Sequence, residues 1–194
     1  MRVITGRAKG RKLMSVPGDS TRPITDRAKS ALFSILSNWI EGTRVLDLFG
    51  GTGGVGIECL SRGAKSVLMV DENRNACEVI RRNMNKTHLS GGQVRQGDVF
   101  RVLPQLRDEG RRFDLIFADP PYAHRPDDDD LTTKLLEQEA LPALLTEKGH
   151  LILESLFSKR QTASWPGWSV LTDRTYGSTR IVWLHQPTHG IESA

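Results

Sequence analysis

The chain has little that would hold a metal, a disulfide or a membrane span. Of its 194 residues only Cys59 and Cys77 are cysteines, and they form no CxxC pair. Both fall in expected helices, so buried reduced thiols are expected rather than a disulfide or a zinc site. The five histidines gather in no cluster with cysteine, so no metal site is expected. No apolar run approaches the roughly 20 residues of a membrane span. The opening Met1-Arg2-Val3-Ile4-Thr5-Gly6 lacks the long apolar stretch of a signal peptide. A cytoplasmic protein, not a membrane one, is the expectation. There is no internal repeat, and the one biased run is Asp127–Asp130.

What is present is unevenly charged. Residues 1–29 hold eight basic side chains, among them Arg7, Lys9, Arg11, Lys12, Arg22 and Arg27, against Asp19 and Asp26 alone. The rest of the chain is close to neutral. A basic lobe on a near-neutral body points to an anionic partner, nucleic acid first, and those six residues are its expected contacts.

The pattern predicts a basic N-terminal unit (1–40), a main domain (41–186) and a frayed tail (187–194). Residues 2–5 and 12–16 flank Gly6–Gly10 as a hairpin, with Arg7 and Lys9 at its exposed tip. Residues 17–24 read as a loop. Thr25 caps a helix with apolar positions Ala28, Ala31, Leu32, Ile35, Leu36 and Trp39. From residue 44, short apolar runs alternate with helical stretches. The strand-like runs are 44–48, 66–70, 93–95, 113–118 and 150–153. The helical stretches are 55–62, 74–86, 99–108 and 131–145. Such alternation predicts a parallel sheet covered on both faces. Segments 169–172 and 180–184 meet around Tyr176-Gly177 and must pair antiparallel.

Two motifs carry chemistry. In the first, Val45-Leu46-Asp47-Leu48-Phe49 enters a glycine-rich turn in which Gly51, Gly53 and Gly56 fit GxGxxG. Asp71 follows Gly51 by 20 residues, where a carboxylate can grip both ribose hydroxyls. A nicotinamide dehydrogenase shares that pattern. Asp47 separates the two readings: its charge disfavours a pyrophosphate but favours the amino group and sulfonium of S-adenosylmethionine. Asp98 can accept from an adenine amino group, or cap the helix that follows. Phe49, Asn73 and Val99 flank these acids in the expected cofactor cleft.

The second motif, Asp119-Pro120-Pro121-Tyr122, ends an apolar strand, the edge where open α/β sheets bind ligands. An exocyclic base amine is a poor nucleophile, because its lone pair is delocalised into the ring. The Asp119 carboxylate and the Pro120 carbonyl can accept its two N–H bonds and favour a pyramidal nitrogen. Pro121 helps to fix the backbone direction. Tyr122 can stack on the base.

These residues resemble the class I methyltransferases, and among them the bacterial 16S ribosomal RNA guanine-N2-methyltransferases of RsmD type. The resemblance runs over about residues 1–185. It includes Arg2–Gly6 with Gly10–Leu13, Thr21–Arg27 followed by Ala31–Leu36, Leu46–Glu58, Asp119–Tyr122 and Tyr176-Gly177. It implies a Rossmann-like α/β fold with a seven-stranded, mostly parallel sheet and one antiparallel strand. It implies S-adenosylmethionine as donor and a small-subunit guanine as acceptor. The expected partner is small-subunit ribosomal RNA or an assembling 30S particle, and a monomer is expected. Residue types alone leave adenine-N6 and cytosine-N4 open. More distant alternatives are an NAD-dependent oxidoreductase and a non-catalytic RNA-binding assembly factor. Asp130 reads as a helix N-cap, with the acids before it favourable to that helix's dipole, and Trp165, Trp168 and Trp183 read as packing residues.

Overall fold

A computed structural model describes residues 1–17, 26–36, 39–121, 130–156 and 165–187 of the chain. Tyr122, Arg22, Thr25, His124, Asp127 and the proposed tail from residue 188 lie outside the described residues, as does the side chain of Arg27. Helix α1 is Asp26–Ile35, followed by β1 Arg44–Leu48, α2 Gly54–Ser61, β2 Ser66–Asp71, α3 Arg74–Thr87, β3 Gly92–Gln96, α4 Val99–Asp108 and β4 Phe113–Ala118. The chain continues through α5 Leu131–Leu136, α6 Ala140–Ala143, β5 Leu145–Leu156, β6 Ser169–Tyr176 and β7 Thr179–His185.

The seven strands form one sheet in the order β3-β2-β1-β4-β5-β7-β6. Strand β7 is antiparallel to both neighbours, and the other pairings are parallel. This is the doubly wound, Rossmann-like sheet that the alternation predicts. Chain reversal between β1 and β4 opens the carboxyl edge there, where such sheets bind ligands.

Alternating side chains divide the strands between two cores. Val45, Val67, Met69, Leu115, Phe117, Ile152 and Ile181 face one side, with Leu32, Phe33 and Leu36 from α1 and Ile57 and Leu60 from α2. Leu46, Leu48, Ile116, Leu151, Leu153 and Val182 face the other, with Val102, Leu103 and Leu106 from α4 and Leu141 and Leu144 from the α6 region. Strands buried on both faces explain the near-continuous apolar runs of β1, β2 and β4.

One expectation is corrected. The stretch 131–145 is not a single helix: α5 ends at Leu136, α6 holds four residues, and β5 begins at Leu145. Pro142 contributes to the break. It has no N–H for the carbonyl four residues back and its ring crowds that carbonyl, which weakens a helix running through it, although α4 accommodates Pro104 in its interior. Within the early turns of the new helix α6 it is tolerated.

The N-terminal hairpin forms with a single bridge, Arg2 to Lys12. Val3 N donates to Arg11 O at 3.0 Å and Gly10 N to Val3 O at 2.9 Å. Arg7 and Lys9 are exposed at its tip, as the sequence suggested, but the tip is also tied to α2. Arg7 N donates to Ser61 O at 2.8 Å, Ala8 N to Ser61 Oγ at 2.9 Å, and the Arg7 guanidinium to Leu60 O at 3.1 Å. Two of these bonds reach carbonyls in the last turn of α2, Ser61 O and Leu60 O, the latter also accepting from Gly63 N at 3.2 Å. Lys9, Arg11 and Lys12 remain exposed.

Lys29 departs further from a basic surface. It is fully buried, 3.4 Å from the fully buried Glu58, and donates to Arg2 O at 2.6 Å. Glu58 also accepts from Ile4 N at 2.7 Å, Thr5 N at 2.9 Å and Arg62 Nε at 2.9 Å. One carboxylate of α2 therefore joins the hairpin and α1 to the body.

Candidate active site

The site is built where β1, β2, β4 and β5 end. Strand β1 leaves the sheet at Leu48, and Phe49 adopts φ +60°. That is an uncommon backbone for a bulky residue, and such strain gathers at functional sites. Its ring meets Phe100 edge to face at 6.3 Å. Gly53 caps α2 at φ +76°, a conformation that glycine adopts without cost. A Cβ on Gly56 would lie 2.7 Å from Met69 Cγ and 2.9 Å from Asp47 Oδ2. Glycine there lets α2 sit close over β1 and β2.

Asp71 closes the turn from the neighbouring strand. Its Oδ2 accepts from Gly51 N at 2.7 Å and its Oδ1 from Asn73 N at 2.8 Å. Asn73 is occupied as the N-cap of α3, accepting from Asn75 N at 2.8 Å. Asp98 caps α4 by accepting from Phe100 N at 2.8 Å, with Val99 buried behind it. The capping alternative is thus realised for Asp98, and its side chain remains partly exposed at the same edge. Asp130 caps α5, as read from the sequence.

Asp47 is 2% exposed and accepts from Gly56 N at 2.9 Å. Burial pushes its carboxyl up to about 8; the Gly56 N–H opposes that, while the charges of Asp119 and Asp71 add to it. Asp119 directly follows β4, Pro120 is buried, and Pro121 is exposed. Asp47 pairs in register with Phe117, so Asp119, two residues on, continues the same face. The structure therefore brings the two sequence motifs together on one sheet edge. Trp168 is buried, and Trp165 and Trp183 pack half-buried against the two cores, the packing role read from the sequence.

Sequence reasoning missed one acid. Glu154 on β5 is 2% exposed, and Ala118 pairs with Leu153, which places Glu154 beside Asp119. Burial, then the charge of Asp119, pushes its carboxyl up to about 9. The available signal was a glutamate directly continuing the apolar run Leu151-Ile152-Leu153.

Among the described residues no group of His, Cys, Asp and Glu could hold a metal, and no helix is long and apolar enough to cross a membrane.

Comparison with known proteins agrees with this geometry. Residues 1–185 match the family model described as conserved hypothetical protein 95. A Bacillus subtilis (strain 168) protein, YlbH, provisionally named an rRNA methyltransferase, is 42% identical over 123 residues, 63% of this chain and 67% of that protein. Ribosomal RNA small subunit methyltransferase D of Haemophilus influenzae is 33% identical over 126 residues, 63% of this chain and 64% of that protein. The chain thus aligns with about two thirds of these relatives' lengths. Solved structures match almost throughout. The Escherichia coli protein yhhF, provisionally named a methyltransferase, superposes with TM-score 0.78 at 27% identity, covering 96% of this chain and 97% of that one. A hypothetical protein of Thermus thermophilus also gives 0.78, at 28% identity, over 95% of this chain and 99% of that one. The chain belongs to the conserved hypothetical protein 95 family, the RsmD-type methyltransferases.

Proposed function

We propose that the protein transfers a methyl group from S-adenosylmethionine to the exocyclic N2 amine of a guanine in small-subunit ribosomal RNA, a cytoplasmic reaction. The carrying observation is the meeting of Asp119 and Pro120 with Asp47 and the glycine turn at one sheet edge. The small subunit is supported by relatives named ribosomal RNA small subunit methyltransferase D, and guanine by the resemblance of the two motifs to the RsmD-type enzymes. Mass spectrometry of ribosomal RNA from a deletion strain tests this reading. Loss of one N2-methylguanine is expected, and an unchanged small-subunit modification profile would overturn it.

The residues fit the cofactor. When bound, S-adenosylmethionine supplies a methyl group activated on a sulfonium. Asp47 offers a carboxyl that an arriving cation would draw toward its ionised form, and Asp71 stands where ribose hydroxyls can be held. Phe49, Gly51, Gly53, Asn73, Asp98 and Val99 line the remaining cleft. On the acceptor side, the Asp119 carboxylate and Pro120 carbonyl accept the two amine hydrogens. They leave the nitrogen lone pair directed at the methyl carbon and stabilise charge developing on nitrogen. Tyr122 is assigned to stacking on the base. Transfer would form the N–C bond as the S–C bond breaks, with the bonding pair left on sulfur, and the proton released from nitrogen would pass to the Asp119 carboxylate or to solvent.

Asp47 makes cofactor binding depend on pH. In the free protein it stays protonated up to about 8. A bound cation favours the carboxylate, so binding below that pH releases a proton. Affinity therefore rises with pH, by at most roughly tenfold per unit, and levels off above about 8. Calorimetry of the wild type beside Asp47→Asn isolates this effect, since the ligand's own amino group titrates equally in both. The variant should bind more weakly with a flatter profile. Matching profiles would remove Asp47 from the cofactor site.

RNA docking falls to the exposed cations of the hairpin, Lys9, Arg11 and Lys12, together with Arg7, Arg22 and Arg27. Arg2 and Lys9 line a cavity of about 240 Å³ beside Ser30 of α1, a suitable seat for phosphate. Because Arg7 also holds the last turn of α2, the clean test spares it. Replacing Lys9, Arg11 and Lys12 with Ala removes up to three phosphate contacts. The slope of log affinity against log salt should then flatten by roughly 2 to 3. Cofactor affinity should stay within about twofold, since exposed charges are screened by salt. Filter binding over a salt series reads the slope, and equal slopes would place the RNA elsewhere.

A further inference from the structure

The acceptor edge holds a second buried acid that the mechanism above leaves unused. Strands β4 and β5 run parallel with Ala118 opposite Leu153, so Asp119 and Glu154 are neighbours on one face of the sheet. That face also carries Asp47, through the pairing of Asp47 with Phe117 and of Phe117 with Ile152. Glu154 is 2% exposed, and its Oε2 makes no hydrogen bond among the described residues. A buried polar atom without a partner is costly, and native proteins retain few of them. One that lies beside the residue holding the reacting amine is suited to the rest of the same base.

We propose that Glu154 is the base-reading residue of the acceptor site, its neutral carboxyl pairing with the N1–H and O6 of guanine. This rests on the guanine-N2 reading. Burial and the neighbouring charge of Asp119 keep the Glu154 carboxyl protonated up to about 9. A neutral carboxyl presents one acceptor, its carbonyl oxygen, and one donor, its O–H. With the exocyclic amine already held by Asp119 and Pro120, guanine offers a donor at N1 and an acceptor at O6, which complements that pair. Adenine offers only an acceptor at N1 beside its amine. Cytosine offers acceptors at N3 and O2, so one of them faces the carbonyl oxygen of Glu154. The arrangement selects guanine by leaving buried polar groups unpaired against the other bases, the strongest form of discrimination available to a binding pocket.

The test uses the full chain and a short RNA spanning the guanine that the wild type is found to methylate. In a second RNA that guanine is replaced by 2-aminopurine, which keeps the 2-amino group but lacks O6 and the N1 proton. The readout is the ratio of methyl-transfer rates on the two RNAs, with 2-aminopurine fluorescence reporting binding independently. Glu154→Ala should lower the guanine preference by roughly 5- to 150-fold relative to wild type, the cost of one unpaired buried polar group. Glu154→Gln, also a neutral donor–acceptor pair, should retain most of the preference and guards against a mere loss of folding. If Glu154 serves only packing or binds a structural water, the ratio stays unchanged in Glu154→Ala, and the proposal fails while guanine methylation stands. A wild type that methylates adenine or cytosine instead overturns both.

Discussion

Asp119→Ala should lower the methyl-transfer rate by at least about 10²- to 10³-fold, the usual cost of removing one preorganised group that stabilises transition-state charge. Cofactor affinity should change little by comparison. Asp119 follows β4, whereas the glycine turn and Asp71 belong to β1 and β2. Its described tie to the cofactor side is its field on Asp47, and loss of that field would ease ionisation there. Asp119→Asn is the informative companion. It keeps the shape and one acceptor oxygen but lacks the negative charge, so it should retain more rate than Ala while remaining well below wild type. Single-turnover rates on purified ribosomal RNA, beside calorimetry of the cofactor, separate the two roles. Near-normal turnover by Asp119→Ala would sink the mechanism. A parallel collapse of cofactor affinity would move Asp119 to the donor side.

The sheet and both motifs were legible because local pattern and global fold agree there. Strands β1 and β4 are short apolar runs ending in turn chemistry, and their expected limits, 44–48 and 113–118, match the structure. The misread places are those where one signal conceals another. Leu135, Leu136, Leu141 and Leu144 make an apolar stretch of helical length around Pro142, but their spacing keeps no 3.6-residue period, and length alone joined α5 to α6. Lys29 is one of the eight basic side chains of the N-terminal lobe, yet it stands at i, i+3, i+4 and i+7 with Leu32, Phe33 and Leu36, all buried. Its position on that stripe marked it as buried, and a buried lysine requires a carboxylate. Glu58 was marked in the same way, as the acid in an eight-residue helix whose every residue is buried. Glu154 was less accessible to sequence. It reads as the polar end of a strand until β7 is known to pair alongside, with Ile181 opposite it. That pairing is set by the late hairpin and is not visible in the local run.

Glu58→Ala should reduce folding stability by about 3–5 kcal/mol, the range for removing one partner of a buried ion pair. The magnitude follows from what is left behind. Lys29 keeps a fully buried ammonium without its carboxylate, and the N–H groups of Ile4 and Thr5 lose their acceptor. Arg62, stacked over the Phe33 ring at 4.6 Å, loses its partner on the same helix. The loss is specific to the uncompensated charge. The double variant Glu58→Leu with Lys29→Met should therefore recover much of the stability, since apolar replacement of a whole buried pair is often neutral or better. Urea unfolding monitored by circular dichroism reads both variants through the midpoint at unchanged slope. Stability is not the only readout, because Glu58 also joins the hairpin to α2. In the double variant Ile4 and Thr5 still lack their acceptor, so proteolysis of residues 1–17 should be faster than in wild type even where global stability returns. Hairpin cations held less firmly should also raise the entropic cost of docking RNA and weaken its binding. A single variant that loses less than about 1 kcal/mol would show that the Lys29–Glu58 contact does not hold the N-terminal unit to the body.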